Sequence, residues 1–200
     1  MTLKRLFDIF FSSVGIILCF PFFIIAAVLI KFDSSGPVLF TQERIGKNFI
    51  PFRIYKFRTM KHGAGQNDPK ITITGDNRIT RIGRLLRKYK IDELPQLFNV
   101  LKGEMSFVGP RPEIREYVTL FKAAYVKLLS IRPGITDPAS ICYSNEEVLL
   151  SHSDNWEDNY RKTVLPEKIK LSLHYVDNHN LITDMQLIIR TIVKTSLRIE

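Results

Sequence analysis

A chain of 200 residues, 45% apolar and 24% charged, has the composition of an ordinary globular protein, long enough for one domain with a buried core. Lys and Arg exceed Asp and Glu by 29 to 20, a formal charge of +9, which suits anionic lipid headgroups or phosphorylated substrates. The two cysteines make no disulfide framework, the four histidines show no metal spacing, and no zinc finger or RNA-binding signature accompanies the basic charge.

The first element is a stretch without charge, Ile9 to Ile30, IFFSSVGIILCFPFFIIAAVLI. About 20 such residues cross a hydrocarbon core, and the aliphatics after Ala26-Ala27 argue against a cleaved signal peptide. Basic residues flank both ends: Lys4 and Arg5 before it, Lys31, Arg44 and Lys47 after it. A single span satisfies the positive-inside tendency poorly with such flanks. Pro21 lacks an N–H and crowds the preceding turn, so the segment is either a kinked spanning helix or two half-helices that enter and leave one leaflet.

A turn at Phe32 to Pro37 leads into two short strands, Val38–Thr41 and Phe52–Thr59, rich in β-branched and aromatic residues. Lys61 to Asn77 reads as a loop. Ile79 to Lys90 has helical apolar spacing beside Arg81, Arg84, Arg87, Lys88 and Lys90, a basic amphipathic helix suited to a membrane interface. A further helix is expected over Arg115 to Ile131, stopped by Arg132-Pro133-Gly134. Ser144 to Pro166 is polar and gives no clear element. Asp184 to Arg198 repeats the basic amphipathic pattern, with Leu187, Ile188, Ile192 and Val193 on the apolar side.

Two stretches carry candidate chemistry. Asp92 and Glu93 stand at the head of an apolar run. As plain structure they are an N-cap and a first-turn acid, with Pro95 tolerated there. The same position suits a phosphate ligand, and an ionised carboxylate can attack phosphorus or hold Mg²⁺. In Gly109-Pro110-Arg111-Pro112, Pro110 fixes its own φ and Pro112 pushes Arg111 toward extended backbone. Arg111 is thereby presented from a stiff loop, as suits a phosphate ligand, although a solvated arginine in a structural turn would read the same way.

The run KIDELPQLFNVLKGEMSFVGPRP, with FTQERIG and YKFRTM upstream and RPGIT downstream, closely resembles the bacterial sugar transferase family, polyprenyl-phosphate phosphoglycosyl transferases, and in particular its small monotopic members. The resemblance runs from about Leu3 to the C-terminal helix. It implies a mostly helical α+β fold: a single small domain with a short β-hairpin, interfacial amphipathic helices and an N-terminal re-entrant membrane helix broken at Pro21. The division expected is 1–32 for the membrane helix and 33–200 for a catalytic domain on the cytoplasmic face of the bacterial inner membrane.

The implied activity moves a sugar-1-phosphate from a UDP-sugar to undecaprenyl phosphate, releases UMP and initiates surface glycan assembly. Asp92 matches the family nucleophile, Glu93 its neighbour, and Mg²⁺ assists at that pair. Arg87 and Arg111 match arginines that meet phosphate groups, with Pro110 and Pro112 beside them. Membrane lipids and downstream glycosyltransferases are the implied partners, and nucleic acid is not among them. Two departures stand out. The family's Ser-Pro hinge is Phe20-Pro21 here, and a Gly-Trp-Ala-Gln-Val-x-Gly-Arg pattern gives way to Asp137-Pro138-Ala139-Ser140-Ile141-Cys142-Tyr143-Ser144-Asn145-Glu146. A catalytically idle interaction protein of the same fold, and a membrane-tethered nucleic-acid binder, are the rival classes.

Overall fold

The computed structural model describes residues 2–61, 63, 75–151 and 155–196. Most of the loop expected over 61–77 lies outside them.

Helix α1, Leu3–Asp33, opens at Thr2, whose hydroxyl accepts from the Arg5 amide, and ends where the Ser34 amide donates to the Ile30 carbonyl. It is long and apolar enough to cross a membrane. Pro21 does not end it: contrary to the expected break, the helical backbone continues on both sides. A proline removes one donor and strains one turn, which a helix of about 46 Å can absorb. Only Asp8, Ser12, Ala26 and Ile30 of α1 are buried, while Phe10, Ile17, Leu18, Phe20 and Phe22 are each more than half exposed. So large an unpacked apolar surface is of the kind that meets a membrane or a partner.

Strands β1, Leu39–Ile45, and β2, Pro51–Phe57, pair antiparallel from Leu39 opposite Phe57 to Ile45 opposite Pro51. The hairpin is thus as expected, its strands set by alternation: Phe52 and Ile54 point inward. Helix α2, Arg81–Lys88, is capped by the Thr80 hydroxyl on the Gly83 amide. A 3-10 turn over Ile91–Glu93 precedes α3, Gln96–Lys102, which ends at Gly103 with φ of 87°. Strand β3, Ser106–Val108, pairs in parallel with β4, Gly134–Thr136. This second sheet was not expected from the sequence.

The single helix expected over 115–131 is two, α4 at Arg115–Leu120 and α5 at Lys122–Leu128, because Phe121 leaves helical geometry at φ −116°, ψ 37°. After α6, Pro138–Cys142, and α7, Glu146–Ser151, come α8, Trp156–Asn159, and a π-helical turn over Tyr160–Val164. They lead into α9, Leu165–Asn178, whose Pro166 sits in the first turn, where no N–H is needed. The last helix, α10, is Leu181–Ser196. It bears out the expected amphipathic segment in part: Leu187 is buried, but Ile192 and Val193 are exposed, and residues 197 and 198 lie outside the described residues.

The main core gathers Ile45, Tyr117, Tyr125, Leu128, Leu150, Tyr160 and Leu165. A second cluster, Ala26, Ile30, Phe57 and Leu86, seats the C-terminal half of α1 on β2 and α2. Polar groups at both ends of α1 bond to the same body. At its start, Lys4 pairs with Asp184, Arg5 donates to the Val100 and Leu101 carbonyls at 2.6 and 2.8 Å, and Asp8 accepts from Ser106 Oγ at 3.0 Å. At its end, Asp33 accepts from the Ile82 amide at 3.0 Å and the Ser34 carbonyl from Arg58 at 2.6 Å.

Candidate active site

Four segments converge on Asp92 and Glu93. Strand β2 delivers Lys56, and its continuation delivers Thr59. Helix α2 delivers Arg87 in its last turn. Lys90 then adopts left-handed geometry, φ 56°, which ends α2 and reverses the chain into the turn carrying the two carboxylates. That geometry corrects the capping expectation. Pro95, not Asp92, is the N-cap residue of α3, and the Asp-Glu pair belongs to the preceding 3-10 turn, with no side-chain capping bond there.

Freed from capping, the two carboxylates have unlike environments. Asp92 is 7% exposed, and its Oδ1 is buried without a hydrogen-bond partner. Burial pushes the Asp92 carboxyl up, the adjacent Glu93 carboxylate adds to the rise, and Lys56, Lys90 and Arg87 offset it in part. Glu93 Oε1 accepts from Lys56 Nζ at 2.6 Å and from Arg111 Nη2 at 2.8 Å. Burial works against the Glu93 anion, but the Arg111, Lys56 and Lys90 cations hold its carboxyl well below the usual range. In return Glu93 raises the Arg111 guanidinium. Burial lowers the Lys56 ammonium, with Glu93 opposing the drop. Adjacent carboxylates pushed in opposite directions are the arrangement that separates chemical roles at one site.

Arg111 reaches Glu93 because its loop is pinned on both flanks. The Gly109 amide donates to the Thr136 carbonyl at 3.1 Å, the Gly134 amide to the Pro110 carbonyl at 3.0 Å, and Arg44 Nη1 to the Pro112 carbonyl at 3.2 Å. Gly109 and Gly134 permit this approach, since a Cβ on Gly134 would stand 2.1 Å from the Gly109 nitrogen. Pro110 and Pro112 thus act on the loop that aims Arg111. Arg87 turns its Nε to Thr59 Oγ1 and its Nη1 to Glu147 Oε1, each at 3.0 Å.

Helix α2 lies equally close to β2: a Cβ on Gly83 would meet the Thr59 carbonyl oxygen at 2.1 Å. Gly83→Ala is therefore expected to push α2 outward, cost about 1–3 kcal/mol by overpacking, and shift Arg87 from Thr59. Thermal melting and phosphate-ligand affinity, both reduced, are the measurements.

The structure brings together Asp92, Glu93 and Arg111 in direct or adjacent contact, with Arg87 near enough to act on the Asp92 charge. Sequence reasoning missed Lys56. Its signal was parity: Phe52, Ile54 and Lys56 share one face of β2, and a lysine two residues beyond two inward-facing apolar positions is out of place on a solvated face. Among the described residues no group of three or more His, Cys, Asp or Glu forms a metal cage. A hard cation bound through one or two carboxylates plus substrate phosphates needs no such cage, and the unpartnered Asp92 oxygen beside Glu93 fits that case.

The family described as bacterial sugar transferase matches residues 1–198. A UDP-N-acetylgalactosamine-undecaprenyl-phosphate N-acetylgalactosaminephosphotransferase of Aeromonas hydrophila is 39% identical over 193 residues, covering 95% of this chain and 43% of the relative. The exopolysaccharide production protein PSS of Rhizobium leguminosarum bv. phaseoli is 39% identical over 210 residues, covering 99% of this chain and 97% of the relative. A UDP-glucose:undecaprenyl-phosphate glucose-1-phosphate transferase of Caulobacter vibrioides is 35% identical over 192 residues, covering 94% and 68%. The chain thus spans less than half of the Aeromonas relative and nearly all of the Rhizobium one. With a family match over almost every residue, the buried Asp-Glu turn and its basic partners fall into place: the chain belongs to the bacterial sugar transferase family.

Proposed function

We propose that the protein transfers a sugar-1-phosphate from a UDP-sugar to undecaprenyl phosphate, with release of UMP, as the first step of a surface polysaccharide. The observation that carries this reading is the pairing of Asp92, buried with an unpartnered oxygen, with the Glu93, Lys56 and Arg111 cluster beside it. In the first step a carboxylate oxygen of Asp92 attacks the sugar-bearing β-phosphorus. The bond from that phosphorus to the bridging oxygen breaks, and UMP leaves with the electron pair. In the second, an oxygen of undecaprenyl phosphate attacks the same phosphorus and the Asp92 carboxylate departs. Splitting the transfer lets a soluble donor and a lipid acceptor use one site in turn.

Arg111, Lys56 and Arg87 offset the charge of the diphosphate, and the pinned loop around Arg111 keeps that guanidinium from reorganising during transfer. Asp92 and Glu93 would hold Mg²⁺, which when bound neutralises charge on the donor diphosphate. Glu93 meets both cations through Oε1, so its second oxygen remains for such a contact. The test is UMP release from a panel of UDP-sugars by the detergent-solubilised chain. Sustained release over many turnovers from one or a few donors, requiring undecaprenyl phosphate to continue, is the expected result; none from any donor contradicts the proposal.

The same reading keeps both ends of α1 on the cytoplasmic face, the helix dipping into one leaflet and bending at Pro21 without losing its helical backbone. What supports it is the bonding of both ends to one body: a spanning arrangement would strip Lys4, Arg5 and the buried Asp8 of Asp184, Val100, Leu101 and Ser106. Leaving such groups unpaired is costly. With Cys19 and Cys142 replaced, single cysteines at Thr2 and Ser35 should both resist a membrane-impermeant thiol reagent in intact cells. Both should react once the inner membrane is opened. Labelling of the Thr2 site alone from outside would establish a spanning helix instead.

A further inference from the structure

We infer that Glu147 is an internal competitor for the donor diphosphate at Arg87 and so sets donor affinity and UMP release; this rests on the transferase reading. Its carboxylate Oε1 stands 3.0 Å from Arg87 Nη1, where an anionic phosphate oxygen of a nucleotide would bind the same donor. Arg87 stands in the last turn of α2, which packs against the turn carrying Asp92, so this guanidinium lies near the phosphorus chemistry and not on a remote surface.

The two neighbouring glutamates of α7 are held very differently. Glu146 pairs with Lys168 Nζ at 2.7 Å, and the lysine side chain is only 8% exposed, which anchors the helix to α9. Glu147 is 51% exposed and Arg87 23%. A half-exposed pair is weak and easily exchanged, whereas a diphosphate brings more charge and two or more acceptors to the same fork. The anchored Glu146 keeps Glu147 close by when it is displaced. Glu147 can then return to Arg87 after transfer and expel UMP, a monophosphate with fewer contacts to lose.

Glu146 closes, and Glu147 directly follows, the stretch where the chain leaves the family pattern that ends in an arginine. An acid in this place, next to a phosphate-binding arginine, opposes ligand binding rather than assisting it. A static carboxylate in that position would be a liability; a displaceable one tunes the site.

The experiment uses the full chain in detergent and UMP as the probe. Glu147→Gln keeps size and hydrogen bonding but removes the charge. It is expected to tighten UMP binding by about threefold to fivefold, the scale of an exposed ion pair, and to lower the donor KM by a similar factor. Thermal stability and the KM for undecaprenyl phosphate should stay as in wild type. In an Arg87→Gln background the same change should do nothing to UMP affinity, because the competition has lost its object. Unchanged or weaker UMP binding in Glu147→Gln, or a gain that persists without Arg87, overturns the inference. A wild-type chain that neither binds UMP nor turns over any UDP-sugar brings down the transferase reading itself. Wild-type binding and turnover with no effect of Glu147→Gln removes only the competitor.

Discussion

Asp92→Asn is expected to reduce turnover by about a thousandfold or more while making the protein more stable at neutral pH. Asparagine keeps the shape but cannot attack phosphorus. The stability gain follows from the burial of Asp92 and its unpartnered Oδ1. Because burial and Glu93 raise the folded pKa, the native state holds the Asp92 proton more tightly than the unfolded chain. Stability from this residue therefore falls as pH rises from the unfolded value, about 3.9, through the raised folded value, and the full penalty is present above the folded value. Removing it should add roughly 1 kcal/mol, a rise in Tm of about 2–4 °C. The activity of the wild-type protein should fall as pH drops through that same raised pKa, since only the ionised carboxylate attacks. Glu93 behaves oppositely: its lowered pKa contributes stability above the unfolded value, lost as pH falls through the folded one. A Tm of Asp92→Asn that is lower than wild type at pH 7, with normal expression, would contradict this account of the site.

Arg111→Ala should cost about a hundredfold to a thousandfold in turnover, the usual effect of removing one pre-organised donor to developing charge. It should also cost about 1–3 kcal/mol of stability, because Glu93 would lose one of its two ion-pair partners and keep Lys56. Arg111→Lys retains the charge but loses the planar fork, and an intermediate loss of about tenfold is expected. The order wild type, lysine, alanine is the discriminating result, read from steady-state kinetics and melting in parallel. Equal activity in all three would return Arg111 to the role of a structural turn residue.

Much of this was legible because local rules act locally. β-branched and aromatic residues in Phe52 to Thr59 defined a strand, the length and lack of charge of Ile9 to Ile30 defined a membrane segment, and the Asp-Glu pair and proline-clamped Arg111 marked the site. Elements set by distant partners were not legible. The three-residue strands β3 and β4 exist because Gly109 and Gly134 allow backbones remote in sequence to touch. By sequence, Pro166 closes a polar stretch, whereas in the fold it starts α9 from a position that tolerates proline. Nothing in the apolar spacing of 115–131 shows that Phe121 would divide the helix. Asp92 looked like a cap because caps are acidic and precede apolar runs; Pro95 takes that place and releases the pair. Lys56 and Glu147 were missed for a common reason. In a chain with 29 basic and 20 acidic residues, a single charge reads as solvated surface until its partner is seen.

The central claim is that Asp92 carries the sugar-1-phosphate between donor and acceptor. The direct measurement incubates the detergent-solubilised chain with a turned-over UDP-sugar and Mg²⁺ but no prenyl phosphate, quenches with acid, and combines UMP quantification with peptide mass spectrometry. The account predicts a burst of UMP stoichiometric with enzyme and a sugar-phosphate adduct on the peptide containing Asp92, discharged by adding undecaprenyl phosphate and absent in Asp92→Asn. UMP that appears only when the acceptor is present, with no adduct on that peptide, would mean direct transfer between the two substrates and would contradict it.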